Sequence, residues 1–218
     1  MYVAELWRYP VKSLAGERIE AAELRPDGIV GDRNVVVYDQ ASGRVITSRT
    51  QPKLLGLHGT LGPDGQALID GRPWDGPESA EAVRAAAGRQ AGLARYDGPQ
   101  RFDVLPLLVA TDGAIAALGE DHRRLRPNIV VGGVDGLTER SWPGRRLRIG
   151  DVMIGLDSLR GRCIMTTFHP DTLVQDVNVL RRIRREFGGE LALNAWVEAP
   201  GTIRVGQALE MLDGGAGS

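Results

Sequence analysis

The sequence predicts a mainly β protein of the α+β class, and three observations carry that expectation. Apolar runs are short and most end at Gly, Pro or Asp turn residues. Strand-like segments follow one another with no βαβ rhythm. Only the segment 176–187 carries a strong helical stripe. Short strands with frequent glycine turns signal a barrel or sandwich.

Residues 2–8 read as a first strand. Pro10 biases Tyr9 away from helix, so Tyr9-Pro10-Val11-Lys12-Ser13 leaves the strand extended or turning. Residues 18–24 alternate again before the Pro26-Asp27-Gly28 turn. The glycine-bracketed loop 28–33 leads to a strand at 34–38, a hairpin turn at 39–43 and a return at 45–48. A further pair is expected at 54–61 and 67–69. Residues 70–77 read as a connector, and 79–89 as a weakly amphipathic helix. A short strand at 107–110 ends at Thr111, which suits the N-cap of a helix through Leu118, with Asp112 favourable to its dipole. Strands are expected at 129–133, 146–149, 152–156 and 159–168. The helix 176–187 puts Val177, Leu180, Ile183 and Phe187 on one face and stops at Gly188. Strands at 191–197, 202–205 and 208–212 close the chain, and 214–218 read as a frayed tail.

Composition excludes several classes. A chain of 218 residues with 42% hydrophobic and 25% charged residues is ordinary for a globular protein. A formal charge of −1 gives no electrostatic support to nucleic-acid binding. One cysteine excludes an internal disulfide framework and fits a reducing compartment. The N-terminus lacks a signal-peptide pattern, and no window approaches a membrane span. A soluble, cytoplasmic protein without membrane contact is therefore expected. Of 27 basic residues only Lys12 and Lys53 are lysine, so each marks a place where arginine was not used.

The one cysteine, Cys163, follows Arg160-Gly161-Arg162 and precedes Ile164-Met165-Thr166-Thr167-Phe168. Fixed positive charge beside a thiol favours the thiolate, a nucleophile and a soft metal ligand. Taken alone, a single cysteine is more often a small buried hydrophobe. Three other places set polar or cationic groups at the end of an apolar strand: Lys12-Ser13, Asp32-Arg33 and Arg126-Pro127-Asn128. Convergence of these strand ends would build an anion pocket with a thiol at its edge. Each alone could equally be a solvated loop or turn. His58, His122 and His169 show no metal-ligand spacing with Cys163, and His169 could orient the thiol or cap the turn. Arginines at 181–185 form a solvated helix face or a patch for a protein partner.

Seven motifs in register give the chain a family resemblance. Tyr9-Pro10-Val11-Lys12-Ser13, Gly31-Asp32-Arg33, Ser48-Arg49-Thr50-Gln51-Pro52, Arg126-Pro127-Asn128-Ile129, Arg162-Cys163-Ile164-Met165-Thr166-Thr167, Pro170-Asp171-Thr172 and the 200–206 stretch resemble the MOSC family. The likeness runs over nearly the whole chain, and the mitochondrial amidoxime-reducing components are similar. It implies a β-barrel MOSC domain over 76–213 with a few peripheral helices, and a smaller N-terminal β-rich region over 1–75. It also implies a pyranopterin molybdenum cofactor (molybdopterin), with Cys163 as the catalytic residue and the protein ligand to molybdenum. Lys12, Ser13, Arg33, Arg126 and Asn128 match positions that hold phosphate and pterin, and Arg162 would neutralise charge beside the ligand. Thr111, Asp112 and Asn194 fall near further cofactor contacts.

The family activity implied is an oxidoreductase reducing N-hydroxylated or N-oxide small molecules; a cofactor or sulfur carrier without turnover is the alternative. Gly161, His169 and Asn194 depart from the family pattern, which places a small hydroxyl, an acid and a tyrosine there. The N-terminal region is shorter than in those relatives, and no ferredoxin domain is recognised, so electrons would come from a separate donor protein. Pyridoxal phosphate is not expected, since only Lys12 or Lys53 could form its Schiff base.

Overall fold

The computed structural model describes residues 1–213, so the expected frayed tail lies outside the described residues. The first half of the chain runs β1 (Tyr2–Arg8), β2 (Glu17–Ile19), β3 (Ala21–Arg25), β4 (Gly28–Ile29), β5 (Val35–Asp39), β6 (Gly59–Leu61), β7 (Ala67–Ile69) and β8 (Arg72–Pro73), then helix α1 (Pro77–Ala87) and β9 (Ala91–Arg95). The second half runs β10 (Leu107–Thr111), α2 (Asp112–Leu118), β11 (Ile129–Gly132), β12 (Arg146–Ile149) and β13 (Val152–Gly161), then α3 (Val177–Phe187), β14 (Glu190–Ala199), β15 (Gly201–Arg204) and β16 (Glu210–Leu212). The mainly β expectation agrees with this order.

Eight strands form one mixed sheet in the order β16-β12-β13-β14-β10-β11-β1-β2. No pairing of β16 with β2 closes it into the expected barrel, although Tyr2 bridges Ala208 and the Val3 amide donates to the Gln207 carbonyl at 2.9 Å, tying β1 to the segment before β16. The first strand of the chain pairs antiparallel with β11, so N-terminal and C-terminal residues share this sheet. Leu6, Val109, Ile129, Ile154, Leu156 and Leu193 are fully buried on it and form the main core. Each such side chain contributes roughly 1.5–3 kcal/mol by leaving water. A second core around Val11, Leu14, Val37, Leu54 and Val83 lies under the β5–β9 pair and α1.

Several expected boundaries move for local reasons. The 18–24 strand breaks at Glu20 into β2 and β3, which belong to different sheets. The 45–48 return keeps only a bridge from Tyr38 to Val45, because the Thr50 amide and hydroxyl both turn back to the Thr47 carbonyl at 3.0 and 3.1 Å. Pro52 opens a 3-10 turn over Pro52–Gly56, which shortens the 54–61 strand to β6. The 152–156 and 159–168 strands become one ten-residue β13, ending at Gly161. Beyond it Ile164–Thr167 is a 3-10 turn, where a strand was expected. The hydroxyls of Thr166 and Thr167 donate to the carbonyls of Cys163 and Ile164 at 2.9 and 2.6 Å, a local bonding that competes with a ladder. The absence of βαβ rhythm is also corrected: β10 and β11 pair in parallel, with α2 in the crossover. Gly113 makes that crossover tight, since a Cβ there would sit 2.3 Å from the Val134 carbonyl oxygen.

The helices follow their sequence signals. Thr111 Oγ1 accepts from the Ala114 amide as the cap of α2, and Asp176 caps α3 through the Asn178 amide. Gly188 ends α3 in the left-handed conformation at φ 65°. No helix among the described residues is long and apolar enough to cross a membrane.

Candidate functional site

Lys12-Ser13, Arg33, Arg126 with Asn128, and Arg162-Cys163 line one cleft open to solvent. They reach it from loops after β1, β4, the α2–β11 crossover and β13. Ser13, Arg33 and Arg126 have φ of 75°, 57° and 58°, in the left-handed region that non-glycine residues rarely occupy. Such backbone costs on the order of 1–3 kcal/mol per residue and persists where surrounding contacts over-determine it.

Those contacts are visible. The Arg33 amide donates to the Tyr9 carbonyl at 2.7 Å, while the fully buried Asp32 accepts from the Tyr9 amide at 2.7 Å. Arg33 pairs with Asp32, and its guanidinium lies 5.0 Å from the Tyr9 ring centroid. The guanidinium of Arg126 lies 4.3 Å from the same ring, so two cations share one aromatic. The Tyr9 hydroxyl donates to the Pro127 carbonyl at 3.1 Å. Burial pushes its phenol up to about 12, against the pull of Arg126 and Arg33. Asn128 ties this corner together: its Nδ2 donates to Asp32 and to the Trp7 carbonyl at 3.3 Å, and its Oδ1 accepts from the Leu108 amide at 3.1 Å. Asn128 therefore holds Arg33 and Asp32 in place from behind.

The charge in the cavity is strongly one-sided. Lys12, Arg33, Arg49, Arg101, Arg124, Arg126, Arg160 and Arg162 line it against a single carboxylate, Asp103. Eight bases to one acid, in a chain of net charge −1, is segregation of charge into one place. Asp103 accepts from Lys12 at 3.1 Å, Arg49 at 2.7 Å and Arg160 at 3.4 Å. Burial alone would raise its carboxyl; Lys12, Arg49 and Arg160 outweigh burial and hold it below the usual carboxylate range. Burial pushes Arg126 and Arg162 down to about 10, which still leaves both charged at neutral pH. Arg162 donates to the Leu125 carbonyl at 2.7 Å, and its buried Nε has no partner among the described residues. The Nε of Arg101 is likewise buried without a partner.

Cys163 is the only cysteine and is partly exposed at the cavity wall. It caps the 3-10 turn, its carbonyl accepting from the Thr166 amide at 3.1 Å. Asn194 also lines the cavity, accepting from Arg160 at 3.1 Å through Oδ1 while its Nδ2 donates to Ser158 at 3.1 Å. Thr111 and Asp112 are placed elsewhere. The Thr111 hydroxyl donates to the buried Glu139 at 2.6 Å, and Asp112 accepts from the Gly133 and Val134 amides at 2.7 and 3.0 Å. Both hold the start of α2 against the loop after β11. His169 caps its own turn, its Nδ1 accepting from the Asp171 and Thr172 amides at 3.2 and 3.4 Å. Among the described residues no trio of His, Cys, Asp or Glu side chains could hold a metal ion.

Sequence reasoning missed Arg49, Arg101, Asp103, Arg124 and Arg160 as members of the site. Arg49 and Arg160 stand inside stretches already marked as motifs, and that adjacency was a usable signal. Asp103 and Arg101 lie between elements, where nothing local marks them. Arg101 is 3% exposed, pinned by the Asp27 carboxylate at 2.7 Å and the Asp97 carbonyl at 2.7 Å. Lys53, the second lysine, is exposed on its 3-10 turn.

Comparison with known proteins agrees with this architecture. The family described as the MOSC N-terminal beta barrel domain matches residues 1–95, and the MOSC domain matches 111–210. Mitochondrial amidoxime-reducing component 1 from Homo sapiens is 26% identical over 96% of this chain and 82% of its own length. Mitochondrial amidoxime reducing component 2 from Homo sapiens is 30% identical over 80% of this chain and 68% of its own length. Among solved structures, the YuaD protein from Bacillus subtilis superposes with a TM-score of 0.54 at 13% identity, covering 97% of this chain and 95% of that one, a likeness of fold alone. On these matches, which take in both the strand framework and the loops around Cys163, the chain belongs to the MOSC family.

Proposed function

We propose that this chain binds a pyranopterin molybdenum cofactor in the cationic cleft and reduces N-hydroxylated or N-oxide small molecules there. The observation that carries the reading is the cleft's eight bases and single acid gathered around one partly exposed thiol. The residues suit such a group. A phosphate and an electron-rich ring system call for many fixed donors, and the lysine and arginines that line the cleft supply them. A metal held largely by its own organic cofactor needs one soft protein ligand, and a thiolate is one. The human relatives are by name amidoxime-reducing components, which suggests the substrate class.

In this reading Cys163 ligates the metal. Lys12, Ser13, Arg33 and Arg126 bind phosphate and pterin, with Asn128 fixing Arg33. Arg162 lowers the cost of negative charge beside the thiolate, and Asn194 acts through Arg160. Thr111 and Asp112 serve the site by holding the β10–α2 turn. The cofactor, when bound, supplies two-electron redox chemistry. The overall change, R–NH–OH with two electrons and two protons going to R–NH2 and water, draws its electrons from a separate donor protein.

The test is metal analysis of protein made in a cofactor-competent host, with Cys163→Ala alongside, followed by assay of benzamidoxime reduction with reduced viologen as donor. Near-stoichiometric molybdenum, lost in Cys163→Ala, with turnover in the unaltered protein, is the expected result. Absence of molybdenum from the unaltered protein overturns the reading, and bound molybdenum without turnover replaces it with a cofactor carrier.

A further inference from the structure

Beside the cationic cleft lies a second cavity of about 260 Å³. Trp7, Tyr9 and Phe168 line it with aromatic rings, and Leu55, Met165 and Pro170 with apolar surface. Its charged lining comes from Arg123, Arg124 and Arg126, with His58 beside them and no carboxylate among the described residues that line it. Arg124, Arg126 and Met165 also line the first cavity, so these three side chains form the partition between the two.

The basic groups are not equally available. Arg123 is held by Asp121 at 2.6 Å and Asp171 at 2.7 Å, and Arg124 donates to the Thr166 carbonyl at 3.2 Å. Arg126 instead stacks on Tyr9 at 4.3 Å. A stacked guanidinium keeps its in-plane N–H groups for an acceptor at the ring edge. Trp7 is fixed for its part: its indole N–H donates to Glu5 at 2.7 Å, and His122 packs edge-on at 5.9 Å. A preformed apolar space with a guanidinium that keeps donors for a ligand is how small organic anions are recognised. A cavity of roughly 150 Å³ suffices for benzene; this one is about 260 Å³, which suits a bicyclic aromatic.

We propose that this second cavity binds a flat aromatic carboxylate, its ring against Trp7, Tyr9 and Phe168 and its carboxylate on Arg126. Such a ligand lies one side chain, Met165, from the cleft that Cys163 lines. Arg126 lines both cavities, so this ligand and an anion in the cleft share one cation.

The experiment is titration of the purified protein with 2-naphthoate, with 2-naphthylmethanol as the neutral counterpart, read by calorimetry and by the Trp7 indole N–H resonance. The carboxylate is expected to bind roughly tenfold more tightly than the alcohol, the scale of one charged hydrogen bond. Arg126→Gln should bring the two ligands together in affinity. Leu55→Trp, which fills the cavity, and Phe168→Ala, which removes a wall, should each weaken 2-naphthoate several-fold. Saturating inorganic phosphate should weaken 2-naphthoate, which shares Arg126 with the cleft, but leave 2-naphthylmethanol bound. Displacement of the neutral alcohol by phosphate assigns the ligand to the cationic cleft and overturns the proposal. So does equal affinity for acid and alcohol, an unmoved Trp7 resonance, or no binding at all.

Discussion

Asp103 offers the sharpest test of how the cleft is balanced. It is the one acid among eight bases, and it serves as a resident counterion for Lys12, Arg49 and Arg160. Asp103→Asn removes that charge while keeping the shape. The Asp103 side chain is 34% exposed and Arg49 48%, so each pair is screened and counts for about 0.5–1 kcal/mol. Three pairs sum to about 2 kcal/mol of lost stability, roughly 4–8 °C in melting temperature for a chain of this size. The cleft then carries one negative charge fewer, and inorganic phosphate should bind on the order of tenfold more tightly, which is about 1.4 kcal/mol.

The assay is thermal unfolding against phosphate concentration at constant ionic strength, where a bound ligand raises stability as RT ln(1 + [L]/Kd). Asp103→Asn should melt lower without phosphate and recover more steeply with it. A pH arm follows from the depressed carboxyl. Its folded pKa lies below the ordinary 3.8, so the stability it contributes is complete above that value and is lost as pH falls through the lower folded value. The variant should lack that acid limb. Equal phosphate responses in the two proteins would refute the counterion reasoning.

Two further expectations concern the α2 crossover. Thr111→Ala removes the helix cap and the donor to buried Glu139, for a loss of about 2–4 kcal/mol in urea unfolding, with phosphate affinity in the cleft unchanged. Weakened phosphate binding at retained stability would instead place Thr111 against the ligand. Burial raises the Glu139 carboxyl above its ordinary value of 4.5, with the Thr111 hydroxyl and Ala192 amide pulling the other way. A raised folded pKa means that its contribution is fully present below the unfolded value and is lost as pH rises through the folded one. Glu139→Gln should therefore flatten the melting profile as pH rises above 4.5, and profiles that run parallel would contradict this.

The positions of the helices were legible in the sequence because their signals are local. A threonine cap at Thr111, an aspartate cap at Asp176 and a left-handed glycine at Gly188 act within one turn of backbone. The turn at Ile164–Thr167 was not legible. Its residues have strand propensity, and two threonine hydroxyls bonding back to carbonyls decided otherwise. The parallel pairing of β10 with β11 escaped for another reason: one crossover among many short strands leaves no rhythm to detect.

By itself the sequence determined which residue types carry chemistry: one cysteine beside arginines, one lysine at a strand exit, and an Arg-Pro-Asn stretch before an apolar strand. It also determined a mainly β chain with a small number of capped helices. The tertiary structure alone decided that these loops meet, because pairing between β1, β11, β10 and β14 is set by contacts far apart in the chain. It alone brought Arg49, Arg101, Arg160 and Asp103 to the same cavity, and kept Thr111 and Asp112 out of it. Local propensity reaches a few residues along the backbone, whereas the field at Cys163 is summed through space over side chains from every part of the fold.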